Sequence, residues 1–318
     1  MLRVPDDVLL NIFDFYRIDS YGPTGIDSFP SPWIWNSLVH VCRRWRQIIF
    51  ASVRRLDLQF LCTPKTRVRE LLDFLPPTMP IMVWSRYIPQ TDLSAPDDDS
   101  EEGCQVITAL ERRDRVQWIH LENLPDTVLE KTVKMMEETF PTLKRLRLLA
   151  EYEIGPVLSE EFLGGSAPSL ESLWLKGVPF PDVPKLLLTA YALVYLRLEK
   201  IPDSGYFSPE AMVTALSTCA ELETLVIEFQ PGDPDPTSQE ITSIARVFLP
   251  ELTFFSFTGN GGYSNNFITR IESPLGLNDH IRHDTNTSAN RVFYEVYISS
   301  FGIFFRYHSQ LNPVPVED

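Results

Sequence analysis

One pattern governs what this chain can fold into: an apolar-x-x-apolar-x-apolar triplet that returns seven times. The copies are Val53/Leu56/Leu58, Val116/Ile119/Leu121, Leu143/Leu146/Leu148, Leu170/Leu173/Leu175, Leu193/Leu196/Leu198, Leu222/Leu225/Ile227 and Leu252/Phe255/Phe257. Between the last six, the steps are 27, 27, 23, 29 and 30 residues. The last two apolar positions of each triplet alternate, as they do along a short strand with one buried face. Copies at so regular a step predict stacked units sharing one continuous core.

The stretches between triplets carry helix signals. Ser208-Pro209-Glu210 offers a capping hydroxyl, a proline at the first turn and an early acid, ahead of Met212, Ala215, Leu216 and Cys219 at helical spacing. Asp126 to Phe140 and Gln239 to Leu249 read the same way. Strand, crossover helix and next strand give a parallel sheet. The period and core match a leucine-rich repeat. Such repeats place Asn three residues past the last core position; here Leu124, Glu151, Val178, Ile201, Gln230 and Asn260 stand there. Only one fits, so the expectation is an irregular solenoid with a curved parallel sheet.

The first fifty residues have a different period. Val4, Val8, Leu9, Ile12 and Phe13 share one helical face. After a Gly/Pro/Ser-rich connection from Asp19 to Pro32, helical spacing resumes with Trp35, Leu38, Val39, Cys42, Trp45, Ile48 and Ile49, which makes Cys42 a small buried apolar residue rather than a reactive thiol. Pro76 to Gly103 is poorly patterned, with a short strand signal at Ile81 to Trp84 and a solvated acidic loop near 92–103. Past Pro274 the triplet fades, and 274–318 reads as a C-terminal cap or a loosely ordered tail. The domains expected are therefore 1–52, 53–273 and 274–318.

Charge narrows the function classes. With 43 acidic and 28 basic residues the net charge is −15, which argues against nucleic-acid or anionic-membrane partners. No apolar run approaches the roughly 20 residues of a membrane helix, and the opening Val4-Pro5-Asp6-Asp7 lacks the pattern of a signal peptide. Four scattered cysteines without C-x-x-C suggest neither zinc nor a disulfide framework, hence a reduced, cytoplasmic or nuclear setting. No phosphate loop or nucleophile elbow is present. His280-Ile281-Arg282-His283 has the wrong spacing for a metalloprotease motif. No enzyme activity, cofactor or metal is expected.

Val4-Pro5-Asp6-Asp7-Val8-Leu9-Leu10-Asn11-Ile12-Phe13, followed by Leu38-Val39-His40-Val41-Cys42-Arg43-Arg44-Trp45, resembles an F-box, with Val4 and Asp7 standing where that motif has leucine and glutamate. Joined to the repeats, it resembles the F-box and leucine-rich-repeat-like proteins abundant in mushroom-forming fungi, over about residues 1 to 273. Arg54 to Leu58, Gly164 to Pro168 and Ser204 to Ala211 share in this likeness. The resemblance implies an α/β chain in which a three-helix F-box precedes the solenoid. It also implies docking on a Skp-type adaptor, and through it on the cullin and RING subunits of an SCF-type ubiquitin ligase. Val4, Pro5, Val8, Leu9, Ile12, Phe13, Val41, Cys42 and Trp45 would then face the adaptor or fill the F-box core. The repeats would hold a protein substrate. A repeat-based scaffold without ubiquitin-ligase association is the alternative.

Strand register adds a candidate substrate face. Residues between the inward leucines point outward, giving one row of His120, Arg147, Trp174, Arg197, Val226 and Ser256. A second row holds Trp118, Arg145, Ser172, Tyr195, Thr224 and Phe254. Arg and aromatic residues recur in binding hot spots, and an exposed Trp174 would seek a partner. The substrate-binding candidates are Trp118, His120, Arg145, Arg147, Trp174, Tyr195 and Arg197.

Overall fold

A computed structural model describes residues 4–15, 34–87, 101–150, 154–231, 245–277, 291–299 and 302–310. The Asp19 to Pro32 connection, the acidic run from Asp97 to Ser100 and the His280/His283 pair lie outside these residues. The fold is α/β with mostly parallel strands. The chain divides into two compact units, Met1–Trp84 with Glu101–Gln117, and Ser85–Ser100 with Trp118–Asp318.

The first unit opens with three helices, α1 (Asp6–Asp14), α2 (Ile34–Val39) and α3 (Arg43–Ala51). Asp6 and Asp7 occupy the first turn of α1, where the helix dipole favours acids. Leu9 and Phe13, one turn apart, are its buried residues. Phe13 meets the Trp45 ring edge-on at 4.9 Å. Val53, Leu56 and Leu58 are buried but form no strand. They line a tight turn after α3 in which the Leu58 amide donates to Val53 O and Asp57 takes a left-handed conformation. The strands of this unit lie elsewhere: β1 (Phe60–Cys62) pairs in parallel with β2 (Ile81–Arg86). Two short helices accompany them, α4 (Val68–Leu72) and α5 (Glu101–Leu110). Glu101 and Glu102, expected in a loop, instead begin α5, since acids suit the amino end of a helix as well as they suit solvent. Arg115 ties the turn before β2, donating to Met79 O at 3.0 Å and Pro76 O at 3.1 Å.

In the second unit, which β3 (Val116–Glu122) enters at Trp118, the triplets become strands: β4 (Arg145–Leu149), β5 (Ser172–Lys176), β6 (Tyr195–Ile201), β7 (Thr224–Phe229) and, after a two-residue β8 (Val247–Phe248), β9 (Phe254–Gly259). From β3 to β9, skipping β8, they pair in chain order and all in parallel. Ile119, Leu146, Leu173, Leu196, Leu225 and Phe255 are register partners, and each is fully buried. The crossovers include α6 (Asp126–Met135), α7 (Val183–Leu187) and α8 (Pro209–Leu216). The Ser208 hydroxyl caps α8 by accepting the Ala211 amide at 3.2 Å, as its sequence requires. Met212, Ala215, Leu216 and Cys219 are buried with it.

Two backbone devices repeat with the strands. Leu143, Leu170, Leu193, Leu222 and Leu252 each donate an amide to the carbonyl three residues back, at Phe140, Ala167, Ala190, Cys219 and Leu249. Pro141, Pro168 and Pro250 fill the second position of three of these turns, where a fixed φ suits the bend. One carbonyl then accepts two successive amides of the next unit. Lys144 O binds Glu171 and Ser172; Glu171 O binds Val194 and Tyr195; Val194 O binds Glu223 and Thr224; Glu223 O binds Thr253 and Phe254.

The segment from Gln239 to Leu249, expected to be a helix, shows a strand over its described end. β8 pairs in parallel with β10 (Ile271–Glu272), because Val247 and Phe248 alternate between buried and exposed. Between them α9 (Gly261–Ile268) is capped by Asn260, whose Oδ1 accepts the Gly262 amide at 2.7 Å. Beyond Pro274, β11 (Arg291–Ser299) runs antiparallel to β9 and turns back as β12 (Gly302–Gln310). Val292, Tyr294 and Val296 of β11 are buried, while Tyr297 stacks on Phe304 at 5.2 Å.

Candidate functional site

The F-box-like residues separate into two classes. Leu9 and Phe13 are buried, and Trp45 is half-buried against Phe13. Val4, Val8, Ile12 and Val41 are 45 %, 40 %, 42 % and 58 % exposed, and Pro5 is also exposed. Val8 and Ile12, four residues apart on α1, and Val4 just before it leave a partly exposed aliphatic stripe there. Phe15, 88 % exposed, follows the stripe at the end of α1.

Cys42 departs from its expected burial. It is exposed, in extended conformation, and caps α3 with Sγ accepting the Trp45 amide at 3.5 Å. The helical spacing that suggested a core position breaks at residues 40–42, between α2 and α3. Arg44 joins the α3 start to α1, bonding Val4 O and the Asp6 carboxylate. In the same unit Trp35, Val39, Phe50, Phe60, Leu71 and Phe74 line an apolar cavity of about 360 Å³. No triplet or motif announces it, since its walls come from helix, strand and loop alike. The buried Cys62 thiol, pushed up to about 12 by burial, is an inert core group.

In the second unit the outward rows form as the spacing predicts. Trp118, Arg145, Ser172 and Tyr195 are register partners, as are His120, Arg147, Trp174 and Arg197. A third row, absent from the sequence reading, holds Glu122, Leu149, Lys176 and Glu199. Its signal was available two residues past the middle row of each strand.

These rows pack as stacked cations and rings. The Arg145 guanidinium lies 5.5 Å from the Trp118 ring, Arg147 lies 5.0 Å from the Trp174 ring and Arg197 lies 4.7 Å from it. Trp174 is half-buried rather than open, because two arginines cover it from neighbouring strands; Trp118, His120, Arg147 and Tyr195 are buried. Trp174 Nε1 donates to Glu199 Oε2 at 3.2 Å, and Glu199 also pairs with Arg197. Arg197 donates to the Tyr195 hydroxyl at 3.2 Å as well. Glu122 receives Arg86 at 3.1 Å and lies 3.5 Å from His120 Nε2. Burial first, then the fields of Arg147 and Arg86, pushes the His120 imidazole down to about 4, so it is neutral at pH 7 despite the nearby carboxylate. Glu122 is already shared with Arg86, which blunts its pull on the proton.

Among the described residues no group of three or more His, Cys, Asp or Glu side chains is arranged to hold a metal. No described helix is long and apolar enough to cross a membrane. Compared with family models, curated proteins and solved structures, the chain matches none.

Proposed function

We propose that this protein is the substrate-recognition subunit of an SCF-type ubiquitin ligase, with a Skp-type adaptor on its amino-terminal helices and a protein substrate on the outward rows of its repeats. The observation that carries this reading is the division within the F-box-like motif. Leu9 and Phe13 are buried, while Val4, Val8, Ile12 and Val41 of the same motif present aliphatic surface to solvent. A motif serving only as a helical core would not leave four of its aliphatics exposed to this extent. The parallel register, the repeated turn at the first leucine and the shared carbonyls support an irregular leucine-rich-repeat-like solenoid in the second unit.

The test is co-purification of the tagged full chain with a Skp-type adaptor, compared with Val8→Ser/Ile12→Ser. The native chain is expected to retain the adaptor, and the exposed pair to lose it at least tenfold while the fold persists by circular dichroism. Absence of the adaptor from the native preparation leaves the repeat scaffold as the function.

A further inference from the structure

The apolar cavity of the first unit is built from a single stretch of chain, Trp35 to Leu75. Val39 and Phe60 are buried and form its floor, Trp35 and Phe50 are half-buried walls, and the exposed His40, Arg46, Leu71 and Phe74 mark its mouth. Trp35 is pinned, since its Nε1 donates to Gln59 O at 3.1 Å. Its ring meets Phe50 at 66°, which leaves a bent space rather than a flat slot. Among the described lining residues only Arg46 carries a fixed charge. Its Nε donates to Val39 O at 3.1 Å, and its two terminal nitrogens have no partner among the described residues. Arg44, Arg55 and Arg67 nearby in the chain are each paired with an acid, so Arg46 stands apart from them. From residue 35 to 75 the chain carries eight basic residues and three acidic ones, although its net charge is −15.

From this juxtaposition we infer that the cavity takes a medium-chain aliphatic carboxylic acid, with its tail on the apolar floor and its carboxylate on Arg46. A dry, apolar floor under a mouth with one convergent cation is how small-ligand sites are made. Size sets the chain length. A cavity of about 150 Å³ holds the six carbons of benzene, so one of about 360 Å³ holds about fourteen non-hydrogen atoms, the number in dodecanoate. Shape sets the chain type, because a flexible tail can follow the angle between the Trp35 and Phe50 rings and a rigid flat one cannot. The terminal nitrogens of Arg46 supply paired, charge-assisted hydrogen bonds to the carboxylate. His40, also at the mouth, offers a further polar contact. The inference goes beyond the proposed function and uses neither the adaptor nor the repeat rows.

The test is isothermal titration calorimetry of the full chain with decanoate, dodecanoate and tetradecanoate, each below its micelle-forming concentration, and with decanol and 2-naphthoate. From decanoate to dodecanoate the affinity is expected to rise about fifteenfold, at about fourfold for each buried methylene. Tetradecanoate is expected to gain about twofold at most, because the cavity is then full. Decanoate is expected to bind about tenfold tighter than decanol. Arg46→Gln is expected to weaken decanoate by about fivefold or more and to leave decanol unchanged. Leu61→Trp, which places a ring in the half-buried wall, is expected to abolish binding of both. If that variant fails to fold, the comparison of Arg46→Gln on acid and alcohol decides. An affinity that climbs evenly through tetradecanoate marks adsorption on open apolar surface and overturns the inference. Decanol as tight as decanoate, or an equal loss of both in Arg46→Gln, overturns it too, as does 2-naphthoate tighter than dodecanoate. No binding by any acid also overturns it, and leaves the cavity to a side chain of a protein. Each outcome is read without the adaptor, so failure here spares the F-box reading.

Discussion

Lowering the pH from 7 to 5 should destabilise the second unit through one side chain, His120. Its imidazole is 6 % exposed, and burial with Arg147 and Arg86 holds it at about 4, against the ordinary 6.5 it regains on unfolding. Between those values the unfolded chain binds a proton that the folded chain refuses, so stability falls as the pH drops from 6.5 towards 4, and this contribution levels off below 4. At pH 7 the two states scarcely differ in protonation. At pH 5 the unfolded imidazole is almost fully charged and the folded one mostly neutral, a difference of about 2 kcal/mol. Urea titrations at pH 7 and pH 5 measure the loss, and NMR of the imidazole locates its midpoint. His120→Gln, which cannot titrate, is expected to flatten the difference by that same amount. A midpoint near 6.5, or an unchanged pH difference in the Gln variant, would refute the reasoning.

Gly177→Ala is expected to cost roughly 2–4 kcal/mol in urea unfolding, since φ is +65° and a Cβ would meet Ala150 O at 2.2 Å. A loss below about 0.5 kcal/mol would contradict that packing. Phe13→Ala is expected to destabilise the first unit by about 3–5 kcal/mol, because it empties a buried site against Trp45. Val8→Ser, on the open stripe, should stay within about 0.5 kcal/mol of the native chain; calorimetry of both variants separates core from surface.

The second unit was legible because its pattern is local and repeated. Leu146, Leu173 and Leu196 each fix which neighbour points in and which points out, and a one-residue slip would expose every one of them. Val53, Leu56 and Leu58 misled because the same spacing also suits a tight turn that buries three aliphatics after a helix. The β11 strand escaped notice because Phe293 and Tyr297 break the alternation of Val292, Tyr294 and Val296 with aromatic residues on the opposite face. Cys42 was misplaced because helical periodicity does not see the three-residue break at 40–42 that makes it a cap. The rows on the sheet were readable as positions, but the stacking of Arg147 and Arg197 on Trp174 required the register of three strands at once.

The carbonyls of Lys144, Glu171, Val194 and Glu223 that each hold two amides of the next unit have a consequence for how such a protein changes over time. Strand alignment there is enforced by main-chain atoms, which every residue type but proline provides, together with leucines on the hidden side. Outward positions that are neither buried nor bonded to a neighbouring row therefore carry little of the strand alignment. Ser172, Thr224 and Ser256, now small and polar, are places where a lineage can try new side chains one at a time without shifting the strands. The partner recognised can thus drift far while the scaffold stays put, and an engineer can rewrite the same rows by direct substitution.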